Sequence, residues 1–373
     1  MKHKLLAVLS IIMVLALVLT GCKPASTAYK IAIVVPLSGD VKTFGESTVN
    51  GAMMAIDAAK AAGMKIDVVT ADSKCDAQEA TNAANKVISQ DKVHYIIGEV
   101  CSSASIPIGA IAEANKVLQI SPTSTNPAVT VNEDGSVKKY VFRACFLDPF
   151  QGDVLAALAK ELGAKKMAIL FDVGNDYVKG LAEYTKASFE KMGGTVPVYE
   201  AYTKDDTDFS AVLGKVADAQ VDVLVLPDYY PKVNLIAQQV QEKGIKAILM
   251  GGDGWDSPEL KLSLLEGDYF SNHYSPFDPR PMVQDFVNAY KAKFGAVPDA
   301  LATLAYDAAN ILIQSIKDAG VDDPTVVAQK MEAIKFQGVS GDITFDAKHN
   351  PIKKAAVMKI TGNAVTFYKF VAP

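Results

Sequence analysis

Arginine, histidine and tryptophan are all scarce in this chain. Arg143 and Arg280 are the only arginines in 373 residues, and the formal net charge is −5. With no basic stripe and no interleaving of aromatic and basic residues, nucleic acid is not expected as a partner. Beyond His3 the histidines are His94, His273 and His349, none at metal-ligand spacing from a cysteine or glutamate. His94 falls inside a predicted strand and reads as core. No Gly-x-Ser-x-Gly elbow and no Gly-x-x-x-x-Gly-Lys loop occurs. The expectation is a protein that is not an enzyme and uses neither a cofactor nor a metal.

Apolar runs of membrane-spanning length are missing too. Leu5 to Leu19 is apolar apart from Ser10 and follows the basic start Lys2-His3-Lys4. It falls short of the roughly 20 apolar residues that a span requires. Basic start and short apolar core together predict an export signal over residues 1–21. The run ends in Leu19-Thr20-Gly21-Cys22, which resembles the bacterial lipobox. That resemblance implies cleavage before Cys22 and a lipid on its sulfur. Residues 22–29, polar and rich in small side chains, then read as a tether, and the body is expected outside the cytoplasm, held to a membrane at the cell exterior or in a periplasm.

Only three further cysteines remain: Cys75, Cys101 and Cys145. An exported chain can oxidise a pair. Cys75 follows one predicted strand and Cys101 the next, so both fall at one sheet edge and are the sensible bridge. Cys145 sits in the apolar run Tyr140 to Phe146 and reads as a buried thiol.

What is present is a well-patterned globular body, 50% hydrophobic and 21% charged. Short β-branched runs alternate with helical spacing. Strands are predicted at 30–35, 66–69, 93–97 and 117–120, with helices between them. The pattern restarts after Asp148, with strands at 167–171, 196–202, 221–226 and 246–250. Mostly helix follows Phe277, then late strands at 342–345 and 355–360. Such βαβα alternation predicts an α/β fold of two Rossmann-like lobes with parallel sheets. No low-complexity linker divides the halves, so crossovers between lobes and a ligand cleft are expected.

In α/β sheets ligands gather at the carboxyl ends of strands. The residues there sort by chemistry. Ser102 and Ser103 open a helix, where exposed N–H groups and a hydroxyl favour an anion. Thr125, in Ser121-Pro122-Thr123-Ser124-Thr125, adds another hydroxyl. Asp253, in Gly251-Gly252-Asp253-Gly254-Trp255-Asp256, offers the opposite charge and suits an ammonium. Phe44, Tyr177, Tyr229 and Trp255 are aromatics in loops. Taken singly, Ser102 fits a helix cap equally well, Thr125 a turn, and Asp253 a turn between glycines. Together they describe a binder of an anion or a zwitterion.

The order and spacing of these segments resemble the branched-chain amino-acid-binding proteins of bacterial ABC transporters. The resemblance rests on Ile33-Val34-Val35-Pro36-Leu37-Ser38-Gly39, Asp72-Ser73-Lys74-Cys75-Asp76, Ile97-Gly98 with Cys101-Ser102-Ser103, and Ser121 to Thr125. It continues through Phe142-Arg143, Asp148 with Gln151-Gly152, Tyr177 with Gly180, Tyr306-Asp307-Ala308, Gly338-Val339-Ser340-Gly341 and Phe345-Asp346, over essentially the whole mature chain. It implies a type I periplasmic-binding fold with a hinge of three crossovers, and lobes of 28–148 plus 276–355 and 149–275 plus 356–373. It also implies the Cys75–Cys101 bridge and a monomer that serves an ABC permease and its ATPase.

By the same resemblance Ser102 and Thr125 would bind the ligand carboxylate. The Thr123 carbonyl, the Thr125 hydroxyl and Asp253 would bind its ammonium. Tyr177 and Tyr229 would close over it. Phe44, Val100 and Leu301 would line a side-chain pocket, which Trp255 would narrow. Two departures stand out: Asp253 replaces the commoner glutamate, and Phe44 stands where the best-known members carry tyrosine. They leave open which side chain is preferred, and leave a sensing lobe for a receptor, or an aromatic amino acid, amide or aromatic acid as ligand, as the competing expectations.

Overall fold

The computed structural model describes residues 28–373. Cys22 and the predicted export signal lie outside the described residues. In chain order the first half gives β1 (Tyr29–Val35), α1 (Lys42–Ala61), β2 (Ile66–Asp72), α2 (Ala77–Ser89), β3 (Tyr95–Gly98), α3 (Ser102–Asn115), β4 (Leu118–Ser121) and β5 (Val141–Arg143). The second gives α4 (Asp148–Glu161), β6 (Lys166–Asp172), α5 (Asp176–Lys191), β7 (Thr195–Tyr202), α6 (Ser210–Ala219), β8 (Val223–Val225), α7 (Tyr230–Glu242), β9 (Ile248–Gly251) and β10 (Tyr269–Asn272). Then come α8 (Pro281–Phe294), α9 (Ala300–Ala319), α10 (Pro324–Glu332), β11 (Phe336–Gly338), β12 (Gly341–Ile343), β13 (Ala355–Thr361) and β14 (Ala364–Val371).

Two large sheets form, ordered β2-β1-β3-β4-β5 and β14-β13-β10-β9-β8-β6-β7, and β11 pairs with β12 in a separate antiparallel ribbon. The first is parallel throughout, and the second is parallel from β7 to β10. Continuous apolar strands such as Ile31–Val35 are wholly buried because helices cover both faces. The chain passes from the first sheet to the second between β5 and β6. It leaves after β10 for α8–α10, where α9 lies along α1 and over β3 and β4, and it returns in β13. Gly51 permits the α1–α9 approach: a Cβ there would stand 1.9 Å from the Ala302 carbonyl oxygen.

The bridge between Cys75 and Cys101 is formed, with Cα atoms 5.6 Å apart, and Cys145 is a buried thiol against the Ser124 carbonyl. Three expectations need correction. His94 is not core: it precedes β3, is half exposed, and pairs with Asp322 at 3.0 Å. β10 was not legible, since it is four residues long and ends in Ser271-Asn272, polar side chains that are buried but bonded to Gln151 and Asp256. β14 pairs only with β13 and is mostly exposed, so it lacks an apolar run.

Candidate functional site

Loops after the strands of both sheets converge on one narrow cavity, about 20 Å³ in volume. Phe44, Val100, Ser102 and Thr123 reach it from the first sheet, with Leu301 from α9. Tyr177, Tyr229, Asp253 and Gly254 reach it from the second. Thr125 lies one step behind the lining. Its carbonyl accepts Asp148 N at 3.0 Å, and its hydroxyl faces the Asp148 carboxyl without a hydrogen bond of good geometry.

Trp255 is a correction. Its side chain is wholly buried, packs on Phe270, and donates Nε1–H to the Leu226 carbonyl at 3.0 Å. It is core of the second sheet and does not narrow the cavity.

The wall from the first sheet is electropositive at one point. Ser102 occupies the first turn of α3, behind Cys101 as the residue that starts the helix, and no side chain caps that end. Its hydroxyl accepts Asn126 N at 3.2 Å instead, so the cap reading fails. First-turn N–H groups left without a side-chain partner favour an anion. Thr123 is oriented by donating its hydroxyl to the Val100 carbonyl at 3.0 Å.

The opposite wall carries Asp253, at the start of a single helical turn after β9. Its carboxylate does not bond its own turn. Oδ1 accepts Gln151 Nε2 at 2.8 Å and Tyr177 OH at 2.9 Å, and Oδ2 meets His273 Nε2 at 3.0 Å. Burial pushes this carboxyl up, but the three side-chain partners outweigh burial and hold it below its ordinary value. Burial pushes His273 down, so the ring is neutral near neutral pH. A neutral ring still donates Nε2–H, and Nδ1 has no partner, where a charged ring would strand a buried N–H. His273, Gln151 and Tyr177 together keep Asp253 ionised.

Among the other buried carboxyls nearby, Glu99 and Asp148 behave differently. Burial pushes Glu99 up to about 8, against hydrogen bonds from Ser73 and the Cys101 amide. Burial pushes Asp148 up to about 8 as well. Near neutral pH both hold their protons, which leaves Asp253 as the negative pole, facing the bare start of α3. Between the poles runs an aromatic wall: Tyr177 stacks on Tyr229 at 5.3 Å, and Phe44 meets Tyr229 edge-on at 5.6 Å.

The cleft is shut. Ser103 Oγ accepts Asp176 N at 2.8 Å, Asn126 Nδ2 donates to the Asp176 carbonyl at 2.8 Å, and Tyr230 OH donates to the Asp40 carbonyl at 2.8 Å. Residues from each sheet thus hydrogen-bond directly across the cleft.

A family model described as periplasmic binding protein matches residues 28–364. The chain belongs to that family. Among its relatives, the leucine-, isoleucine-, valine-, threonine- and alanine-binding protein of Pseudomonas aeruginosa is 32% identical over 334 residues, 87% of each chain. The crystal structure of a leucine binding protein from Thermotoga maritima superposes with a TM-score of 0.88 at 36% identity, covering 93% of this chain and 99% of that one. A branched-chain amino acid transporter substrate binding protein from Streptococcus pneumoniae, solved with isoleucine, gives 0.86 at 30% identity, covering 93% and 100%. One parallel and one mostly parallel sheet, joined by three crossovers, are the type I fold of this family.

Gln151 and His273 help to set the state of Asp253; sequence reasoning gave Gln151 no role in the site, although it stands in one of the resembling segments, and missed His273. His273 directly follows β10, so the strand-end rule would have found it had β10 been visible. Gln151 left a weaker signal, as a polar residue in the first turn of α4.

Proposed function

We propose that this protein captures a small amino acid, with branched-chain side chains preferred, and delivers it to an ABC permease. What carries the reading is the charge pattern of the cavity. An uncapped helix start with the Ser102 hydroxyl faces Asp253, the carboxyl that lines the cavity and whose partners hold it below its ordinary value. A zwitterion stripped of water needs fixed partners for both charges. Ser102 and Thr125 would take the carboxylate. Asp253, the Thr123 carbonyl and the Thr125 hydroxyl would take the ammonium. Phe44, Val100 and Leu301 would surround an apolar side chain, each buried methylene adding about 0.8 kcal/mol, while Tyr177 and Tyr229 close over it. What the named relatives bind supports the same class of ligand.

The lobes in this reading are 28–148 plus 276–355 and 149–275 plus 356–373, a division supported by the two sheets except at Ala355, which opens β13 of the second. The family is extracytoplasmic, and a lipid on Cys22 would hold the monomer at the membrane. Among the described residues no helix is long and apolar enough to cross one.

Calorimetry with leucine, isoleucine and valine beside the other amino acids and the carboxylic acids that lack an ammonium tests the proposal. Tight binding confined to apolar amino acids is expected. Binding of acids without an ammonium, and of no amino acid, would sink it.

A further inference from the structure

Asp256 lies at the end of the turn that carries Asp253 and has a different partner. Its Oδ2 accepts Asn272 Nδ2 at 2.8 Å, from the end of β10 in the same lobe. The same oxygen accepts Ala300 N at 2.7 Å. Ala300 opens α9, which packs on α1 and the first sheet. This hydrogen bond therefore crosses the cleft, and the next residue along α9 is Leu301, part of the cavity lining.

α9 already has its own cap. Asp299 Oδ1 accepts Ala302 N at 2.8 Å, and its Oδ2 accepts the Ser47 hydroxyl of α1. Two buried carboxyls, one from each lobe, thus share one helix start. The titratable groups acting on the pair are Asp253, Tyr274 and Tyr290, and none is a cation.

We propose that Asp256 is a positioning residue for closure, gripping the start of α9 from the opposite lobe so that Leu301 is seated over the cavity, and that closing brings its carboxyl to the helix start already held by Asp299, so that closure takes up a proton there. When the lobes part, Asp256 keeps Asn272 and loses Ala300, Asp299 keeps Ser47 and Ala302, and the two charges separate into water. When they meet, two like charges are buried at one helix start and oppose each other. The helix start stabilises one carboxylate there, not two.

The sign follows. Burial raises both carboxyls in the closed form, and Asp256 raises Asp299 further. The closed form then binds more protons than the open form. Its advantage is complete below the ordinary carboxylate value of about 4 and is lost as pH rises through the raised value of the pair. Asp253 runs the other way, being depressed and already ionised, so it does not supply this slope. Glu99 and Asp148 are raised as well, which is why the variant below is compared with wild type pH by pH.

The inference rests on the proposed capture of an amino acid by closure. Asp256→Asn keeps an amide oxygen for Ala300 N and removes one charge. Asp256→Ala removes both grip and charge. Leucine affinity and proton uptake are measured by calorimetry from about pH 6 to about pH 8, in buffers of different ionisation enthalpy. Wild type should take up protons on binding and weaken as pH rises, by at most about tenfold per pH unit. Asp256→Asn should bind at the upper pH at least as tightly as wild type with a flatter slope. Asp256→Ala should be weaker throughout.

Equal slopes and equal proton counts for wild type and Asp256→Asn would overturn the proposal. If leucine does not bind wild type at all, the amino-acid reading fails. The comparison is then made by X-ray scattering of the ligand-free proteins. There wild type should compact more than Asp256→Asn as pH falls, and identical behaviour overturns the role of Asp256.

Discussion

Replacing Asp253 by asparagine removes the negative pole and leaves the shape of the site almost unchanged. The fold should accept the change. Oδ1 has two donors, from Gln151 and Tyr177, and an asparagine oxygen can keep both. The new amide would then face His273 Nε2, which donates to Oδ2 in wild type. The ring can move its proton to Nδ1 and accept from the amide at Nε2, but Nδ1 has no partner, so that tautomer leaves a buried N–H unsatisfied, at about 1–3 kcal/mol. Stability should therefore fall by about that much, and the loss of binding is read on the folded variant. The Asp253 side chain is 11% exposed, so a ligand ammonium beside it would be largely desolvated.

Removing one member of such a pair costs about 3–5 kcal/mol, and the remaining asparagine oxygen recovers part of that. The expected loss is about 2–3 kcal/mol, roughly 30- to 150-fold in the leucine dissociation constant. The control is the deamino analogue of leucine, which has the carboxylate and the side chain without the ammonium. It should bind wild type poorly, since its insertion leaves Asp253 buried and unpaired, and it should bind Asp253→Asn no worse. Calorimetry on both ligands with both proteins gives the full cycle. If leucine and the analogue weaken by the same factor, Asp253 does not meet the ammonium and the reasoning is wrong.

The Cys75–Cys101 bridge closes a loop of sequence separation 26. In the chain-entropy model its loss costs about 3.5 kcal/mol, read as a lower urea midpoint for the reduced protein; a change under about 1 kcal/mol would contradict this. Trp255 fluorescence should be blue-shifted and protected from quenchers with or without ligand, because the indole is sealed and bonded to Leu226; red emission from the ligand-free protein would place it in the cleft after all. Gly51→Ala should lower stability by about 3 kcal/mol by forcing α1 from the Ala302 backbone, and a wild-type melting curve would refute that contact.

The fold was legible because its strands announce themselves. Ile31–Val35 and Tyr95–Gly98 are buried on both faces, so each is a continuous apolar run between turn residues. The first-sheet half of the site was legible for a related reason: in parallel sheets the strand end locates the ligand, and Ser102 and Thr123 stand directly after strands. Where strands were short or polar the method had nothing to hold. β10 was one of these, and with it went His273, a neighbour that helps to keep Asp253 charged.

Trp255 and Asp256 show the other limit, since adjacent residues of one loop turned opposite ways. The Gly251-Gly252-Asp253-Gly254-Trp255-Asp256 run reads as a loop, and a loop aromatic reads as a contact. Gly251 decides otherwise, because a Cβ there would lie 2.0 Å from the Trp255 ring. The glycine therefore gives the indole room to fold back under the strand it follows. With the indole turned inward, the turn is anchored, and Asp253 and Asp256 are left pointing to the cleft. Asp256 then reaches Ala300, 44 residues away in sequence, a pairing that no local pattern encodes. A glycine ahead of a loop aromatic is thus a sign of burial, and the acidic residues beside it, rather than the aromatic, are the ones to read for function.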